Sequence, residues 1–414
     1  MQGKYPNLIG MIVLAVLTGG FIVQYLVSHP SMMYLYLVLA LICLVFAIVF
    51  IVRGIPGWSG VLLVTVTLVA FIGGYLGMNA MFLSQEEERE LPAITRTENS
   101  LGDGHTAIIY FTHGEPLSYD PMPWIETMRE FDHDKAVFIP HPFRAFFFYN
   151  FRSEYLQIGT SPHNQIHTGI VEKLAGEIQA VSPETKLSLA FLDSSPRPDE
   201  MLIAALNSGA SRVIVMPVFV TVSSHTQAGE EMIAAVEPEK YGARVCYANP
   251  LWDSELLQQS FVERANTSRG ETDKARTGVL LIGHGQPAAW DAIYPTQTEQ
   301  ENLFREAIKS KLVADGYLPQ NVILSWMEFK EPLIEDGLGD LSTADVEKII
   351  VFSTSISAKS IHSDIEVPKA IAEAKLPPEI TVLDLGAWGD SNDPLLIAAI
   401  GEKIAACAPE LALK

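Results

Sequence analysis

Hydrophobic residues follow two different rhythms along this chain. From Leu8 to Val27, Met33 to Val52 and Val61 to Phe82 they form apolar runs without a single charged residue. Each run is about 20 residues long, which as a helix rising about 1.5 Å per residue spans a hydrocarbon core of about 30 Å. Runs that are apolar on every side have no polar face to turn to water, so three transmembrane helices are expected rather than three amphipathic core helices. The joints SHPS and RGIPGWSG are short and carry Pro and Gly, which suits tight helical hairpins. A cleaved signal peptide fits poorly, because its apolar segment is shorter and no further runs would follow it.

After a polar, loop-like stretch, QEEERELPAITRTENSLGDG, the rhythm changes to short β-branched runs separated by amphipathic stretches. TAIIYF, KAVFIP, KLSLAFL, RVIVMPVFV, ARVCYA, GVLLIG, NVILSW, KIIVFST and TVLDL read as strands, whereas TGIVEKLAGEIQAV and QENLFREAIKSKLVADG read as helices. Such alternation predicts parallel sheets covered by helices. The grammar also repeats. TAIIYFTHGEP and GVLLIGHGQP each end an apolar run on His-Gly, and RVIVMPVFVTVSSHTQAGEE and KIIVFSTSISAKSIHSDIEVP each place a histidine a few residues beyond a later strand. The expected fold class is therefore α/β, with two similar doubly wound parallel-sheet halves preceded by three transmembrane helices. The boundaries drawn are an anchor at 1–83, a linker at 84–104, a first half at 105–270 and a second half at 271–414.

Charge sharpens this picture. Residues 1–82 hold Lys4 and Arg53 and no acidic residue, so 26 of the 28 Lys and Arg face all 49 Asp and Glu in the remainder. So acidic a surface disfavours nucleic acid as a partner. Lys4 and Arg53 fall on one side of a three-helix hairpin arrangement, which puts that side in the cytoplasm and the large domain outside. The three cysteines, Cys43, Cys246 and Cys407, show no metal-ligand spacing and no evident disulfide framework.

In a doubly wound sheet, ligands gather at the carboxyl ends of strands beside the switch point. His113 with His225, and His284 with His362, are expected there, facing a cleft between the halves. Neutral imidazoles near carboxylates bind transition metals and accept protons near neutral pH. No HExxH, CxxC, GxGxxG, P-loop or GxSxG pattern is present, which disfavours a fixed zinc centre and a nucleotide cofactor. An exchangeable divalent metal, handled beside a base, suits insertion of that metal into a tetrapyrrole, where pyrrole protons leave as the metal enters.

On these motifs the soluble part resembles the class II tetrapyrrole chelatases, ferrochelatase especially. EYLQIGTSPHNQIHTGIVEKLAGEI, RVIVMPVFVTVSSHTQAGEE, LLIGHGQPAAWDAIYPTQTEQ, WMEFKEPLIEDG and IIVFSTSISAKSIHSDIEVP follow the family's segments in order. The resemblance implies a catalytic, metal-contacting role for His284, and a second group among His362, Asp364 and Glu366. It places the chemistry in the second half, with His113 and His225 as a possible second pair. The His-acid pattern of the last turn is similar to sirohydrochlorin cobaltochelatases. Trp290, Tyr294, Trp326 and Tyr155 are the candidate macrocycle contacts. RAFFFYNFRSEY is read either as a lip on the macrocycle or as a segment packed on the membrane helices. His163 and His167, at the start of a helix, are expected at the surface.

Two functions follow as expectations. The first is a membrane-anchored chelatase that inserts ferrous iron, or cobalt, into a porphyrin-type macrocycle. The second is a non-catalytic, chelatase-like subunit of a membrane complex, holding haem or serving a structural role.

Overall fold

The structure is a computed structural model that describes residues 5–55, 58–136 and 139–413, apart from the side chains of Tyr5, Pro6 and His362. The apolar runs form helices α1 (Tyr5–Val27), α2 (Pro30–Arg53) and α3 (Gly60–Leu83), all three long and apolar enough to cross a membrane. Pro30 opens α2, where its missing N–H costs nothing, and Ser59 caps α3 by accepting a hydrogen bond from the Leu62 amide at 3.2 Å.

The chain divides into two compact units. The first joins the residues through Glu88 to the segment Ser118–Gly159, which carries α4 (Met122–His133) and α5 (Arg144–Ile158). Ile125, Ala145 and Phe148 from these helices are buried with Val23, Leu26, Val27 and Phe82. Arg152 donates to the carbonyls of Tyr25 at 2.8 Å and Ser28 at 2.7 Å, satisfying acceptors that the end of α1 leaves open. Of the two placements for RAFFFYNFRSEY, packing on the apolar helices is the one observed. The expected strand KAVFIP lies in this unit; Val137 and Phe138 fall outside the described residues, and Ala136, Ile139 and Pro140 beside them belong to no strand.

The second unit, Arg89–Leu117 with Thr160–Lys414, holds the strands. One parallel sheet has the order β2-β1-β3-β4, built from β1 (Thr106–Thr112), β2 (Lys186–Phe191), β3 (Arg212–Pro217) and β4 (Arg244–Tyr247). The other has the order β6-β5-β7-β8, built from β5 (Thr277–Gly283), β6 (Val322–Trp326), β7 (Lys348–Ser353) and β8 (Thr381–Asp384). The two orders are the same permutation, as the repeated grammar requires. TAIIYFT and TGVLLIG are buried along their whole length because β1 and β5 are inner strands with helices on both faces. On the first sheet lie α6 (His163–Val181), α7 (Pro198–Asn207) and α8 (Ser224–Ala235), whereas α9 (Glu255–Arg269) crosses to the second and packs on β7, with the Phe261 ring 5.2 Å from that of Phe352. The second carries α10 (Ala288–Ile293), α11 (Pro295–Ala314), α12 (Ile334–Thr343) and α13 (Val367–Glu373), whereas α14 (Pro394–Cys407) crosses back to pack on β3 and α6 of the first half.

Two features depart from the sequence reading. The stretch 84–104 has no helix or strand, as expected, yet from Arg89 on it is fastened to the second unit. Arg89 pairs with Asp199 at 2.8 Å and Glu200 at 3.2 Å, and the Asn207 amide bonds both the Thr95 N–H at 2.7 Å and the Ala93 carbonyl at 2.9 Å. Cys246 on β4 and Cys407 at the end of α14 form a disulfide across 161 residues of sequence, with Cα atoms 5.9 Å apart. It joins the first half to the second, a framework the cysteine spacing does not announce.

Candidate functional site

The strand orders fix where the histidines go. Strand β1 lies between β2 and β3, so the chain leaves it in one direction and returns across it to the other. The crevice at the carboxyl ends of β1 and β3 is the switch point. His113 directly follows β1, and His225 sits in the first turn of α8 after β3. In the second sheet His284 follows β5, and His362 opens a π-helical turn, His362–Glu366, beyond β7.

Both His-Gly pairs share one geometry. Gly114 and Gly285 have φ of +87° and +83°, a left-handed conformation that L side chains rarely adopt. A Cβ on Gly285 would stand 2.2 Å from the Glu328 carbonyl oxygen, and one on Gly114 2.7 Å from the Phe191 Cβ. This turn lets the ring Nδ1 donate to the following carbonyl, at 2.9 Å for His113 to Gly114 and 2.9 Å for His284 to Gly285. With Nδ1 protonated, Nε2 is the nitrogen that carries the lone pair of the neutral ring.

An acid accompanies each histidine from the neighbouring edge strand. The Asp193 amide donates to the His113 carbonyl at 3.0 Å, and the Glu328 amide to the His284 carbonyl at 3.3 Å. Asp193 and Glu328 are each the second residue past their strand, β2 or β6. The side chains then differ. Asp193 Oδ2 lies 2.7 Å from His113 Nδ1, whereas Glu328 Oε1 is 4.0 Å from His284 Nε2. Neither acid was a candidate from the sequence, although applying the strand-end rule to LAFLDSS and LSWMEF would have found both.

The first-half cluster is the tighter one. The His113 and His225 rings meet edge to face with centroids 4.7 Å apart, and Phe219 stacks on His225 at 6.2 Å. Burial disfavours charge on His113, but the Asp193 carboxylate, then the Gly114 carbonyl and the Glu115 charge, outweigh it and hold its pKa up at about 9. His225 goes the other way. Burial first, then repulsion from His113 and His284, push it down to about 3 against the pull of Asp193. The start of α8 adds to this, since a helix N-terminus repels a cation. At neutral pH the pair is thus one imidazolium on a carboxylate and one neutral imidazole. Among the described residues, no group of three or more His, Cys, Asp or Glu side chains converges as a metal cage.

The influence of His284 on His225 reflects halves that face each other within this unit. Their loops are also bonded directly: His167 Nε2 to Ser357 Oγ at 3.1 Å, the Ile361 amide to Glu115 Oε1 at 3.2 Å, and the Val222 amide to Gln300 Oε1 at 2.7 Å.

His163 and His167, expected at the surface, are instead buried, at 5% and 0% exposure. The inward face of α6 carries both, and the Tyr110 hydroxyl bonds His167 Nδ1 at 2.7 Å. Burial, then the His113 charge, lowers His163 to about 4; burial, then His163, lowers His167 well below the usual histidine range. Trp326 is buried under the Arg305 guanidinium, 3.8 Å from its ring centre, and Trp290 is buried with Tyr294 edge-on at 5.9 Å. Tyr155 belongs to the first compact unit, buried against Tyr119 and Phe151. Asp364 and Glu366 are half-buried in the π-helical turn, with Ser363 Oγ donating to Asp364 at 3.2 Å. The His362 ring lies outside the described residues, and with it the expected pairing of His284 and His362.

Residues 162–268, roughly a quarter of the chain, match the CbiX family model. The resemblance to the class II tetrapyrrole chelatases is met again over that stretch. The chain is similar to SirB from Bacillus subtilis with Fe3+, at 14% identity and a TM-score of 0.48, covering 74% of this chain and 96% of that one. It is similar to SirB from Bacillus subtilis subspecies spizizenii in complex with cobalt, at 15% identity and a TM-score of 0.44, covering 74% and 95%. A third similar structure is CbiX, described as the terminal enzyme for siroheme biosynthesis in denitrifying bacteria, at 14% identity and a TM-score of 0.42, covering 72% and 98%. No curated protein matches the sequence.

Proposed function

We propose that this chain is a membrane-anchored tetrapyrrole chelatase whose metal substrate, cobalt or ferrous iron, is received by His113 and His225. The observation that carries this reading is the pairing of those rings at 4.7 Å, with Asp193 on the first and no proton on the second. A divalent cation arriving at His225 meets an available lone pair. His113 becomes a second ligand by losing its proton to water, after which the Asp193 carboxylate balances the metal's charge. The macrocycle occupies the cleft between the halves, with His284 and Glu328 on the opposite wall. As the metal moves from the imidazoles to the four pyrrole nitrogens, two N–H protons leave. His284 takes up one, with Glu328 beside it, and the vacated His113 takes up the other. Charge and atoms balance: M2+ and a tetrapyrrole with two N–H protons give the metallated ring and two protons.

The three apolar helices anchor the domain, and we assign it to the extracytoplasmic side. Lys4 and Arg53 support that orientation. So does the Cys246–Cys407 disulfide, a bond that persists in oxidising compartments. The test is metalation by the full chain in lipid nanodiscs, with Co2+ or Fe2+ and with sirohydrochlorin or a porphyrin, followed by visible absorption. Metal-dependent conversion of either macrocycle supports the proposal. Haem binding without conversion of any pair would favour the non-catalytic subunit instead.

A further inference from the structure

The turn His141–Phe143 and the first turn of α5 expose two large aromatic side chains, Phe143 at 60% and Phe146 at 50%. They are three residues apart, hence on one side of the helix start. They adjoin α3: the Phe146 ring lies 6.4 Å from that of Tyr75. The outer face of α3 continues with Leu68, Val69, Ile72 and Leu76, all exposed.

The backbone beneath this aromatic pair is bonded as though water were absent. The His141 carbonyl accepts from Asn79 Nδ2 at 2.7 Å, and the Pro142 carbonyl from the Tyr75 hydroxyl at 2.8 Å. Pro142 has no N–H to satisfy, and the Phe143 amide donates to the Pro140 carbonyl at 2.8 Å. Arg144 is buried and held by both oxygens of Asp132, which His141 also approaches at 3.2 Å. Charge at the base of the pair is therefore paired internally, the condition for contact with hydrocarbon.

Depth agrees. Tyr75 lies eight residues before the end of α3 at Leu83, about 12 Å along the axis. As a helix of 24 residues, α3 is about 36 Å long against a core of about 30 Å, which leaves Tyr75 roughly 9 Å inside the apolar boundary. Interfacial amphipathic helices sit about 5–10 Å deep.

We propose that Phe143 and Phe146 form a wedge inserted into the lipid leaflet in which α3 ends, so that the α4–α5 segment is part of the membrane anchor. This rests on the reading of α1–α3 as membrane spans, and the test separates the two. Nitroxide labels are placed by Phe143→Cys, and by Phe146→Cys should the first variant misfold, in a Cys43→Ala background of the full chain in nanodiscs. Val69→Cys on α3 and Thr97→Cys serve as lipid and water references. The expected result is that the Phe143 label collides more with oxygen than with a water-soluble nickel chelate, as at Val69. Chelate access equal to that at Thr97 would overturn the wedge. Protection from both reagents would overturn it too, and would mean that a protein covers the pair. If Val69 itself reports water, the membrane reading fails rather than the wedge alone.

Discussion

Asp193→Asn removes the charge that keeps a proton on His113, and its effect on metal binding can be worked out. With His113 held up at about 9, only about 1% of the rings are neutral at pH 7, and metal affinity should rise about tenfold per pH unit until it levels near 9. Without the carboxylate, burial acts against the proton with only the Gly114 carbonyl and Glu115 opposing it, so the pKa falls. Because 48% of the His113 side chain reaches solvent, water screens the pair, and a displacement of at least about one unit is the firm expectation. Cobalt affinity is measured from pH 6 to 9.5 by competition with a chromophoric chelator. The native protein should gain affinity across the window, while Asp193→Asn should level off at least about one pH unit lower and bind more weakly than the native protein above 9. Two curves with the same midpoint would refute the coupling of Asp193 to His113.

Gly285→Ala should destabilise the second half by about 1–3 kcal/mol, because it combines a positive φ with a Cβ clash on the Glu328 carbonyl; urea unfolding measures this, and an unchanged midpoint contradicts it. Replacing Cys246 and Cys407 by Ser opens a loop of 161 residues and should cost about 3–5 kcal/mol. Thiol counting by mass spectrometry on the native protein should find only Cys43 reactive after unfolding. A cysteine at Thr97 should react with an impermeant maleimide in intact cells, whereas reaction only after lysis reverses the assigned sidedness.

Much of the fold was legible because period and length are direct consequences of burial. A run such as TAIIYFT, without a charged residue and apolar on both faces of a strand, reads as an inner strand, and the repeated His-Gly ending located both switch points. A polar helix start usually faces water, which predicts His163 and His167 at the surface; here Tyr110 and Ser357, 57 and 190 residues from His167, supply the bonds that make its burial tolerable. The disulfide depends on the same kind of long-range closure, since β4 and α14 meet only once both halves have folded. Asp193 and Glu328 were the avoidable omissions, being strand-end residues like the histidines they accompany.

In the proposed mechanism the first-half pair, rather than His284 alone, takes the metal. The most direct measurement is the initial rate of cobalt insertion into sirohydrochlorin by the full chain, compared across His113→Ala, His225→Ala and His284→Ala. A loss of roughly 10²–10⁴-fold is expected for each of the first two, on the scale of a positioned catalytic group, and a smaller loss for His284→Ala. Insertion that survives His225→Ala but is abolished by His284→Ala would contradict it and return the chemistry to the second half.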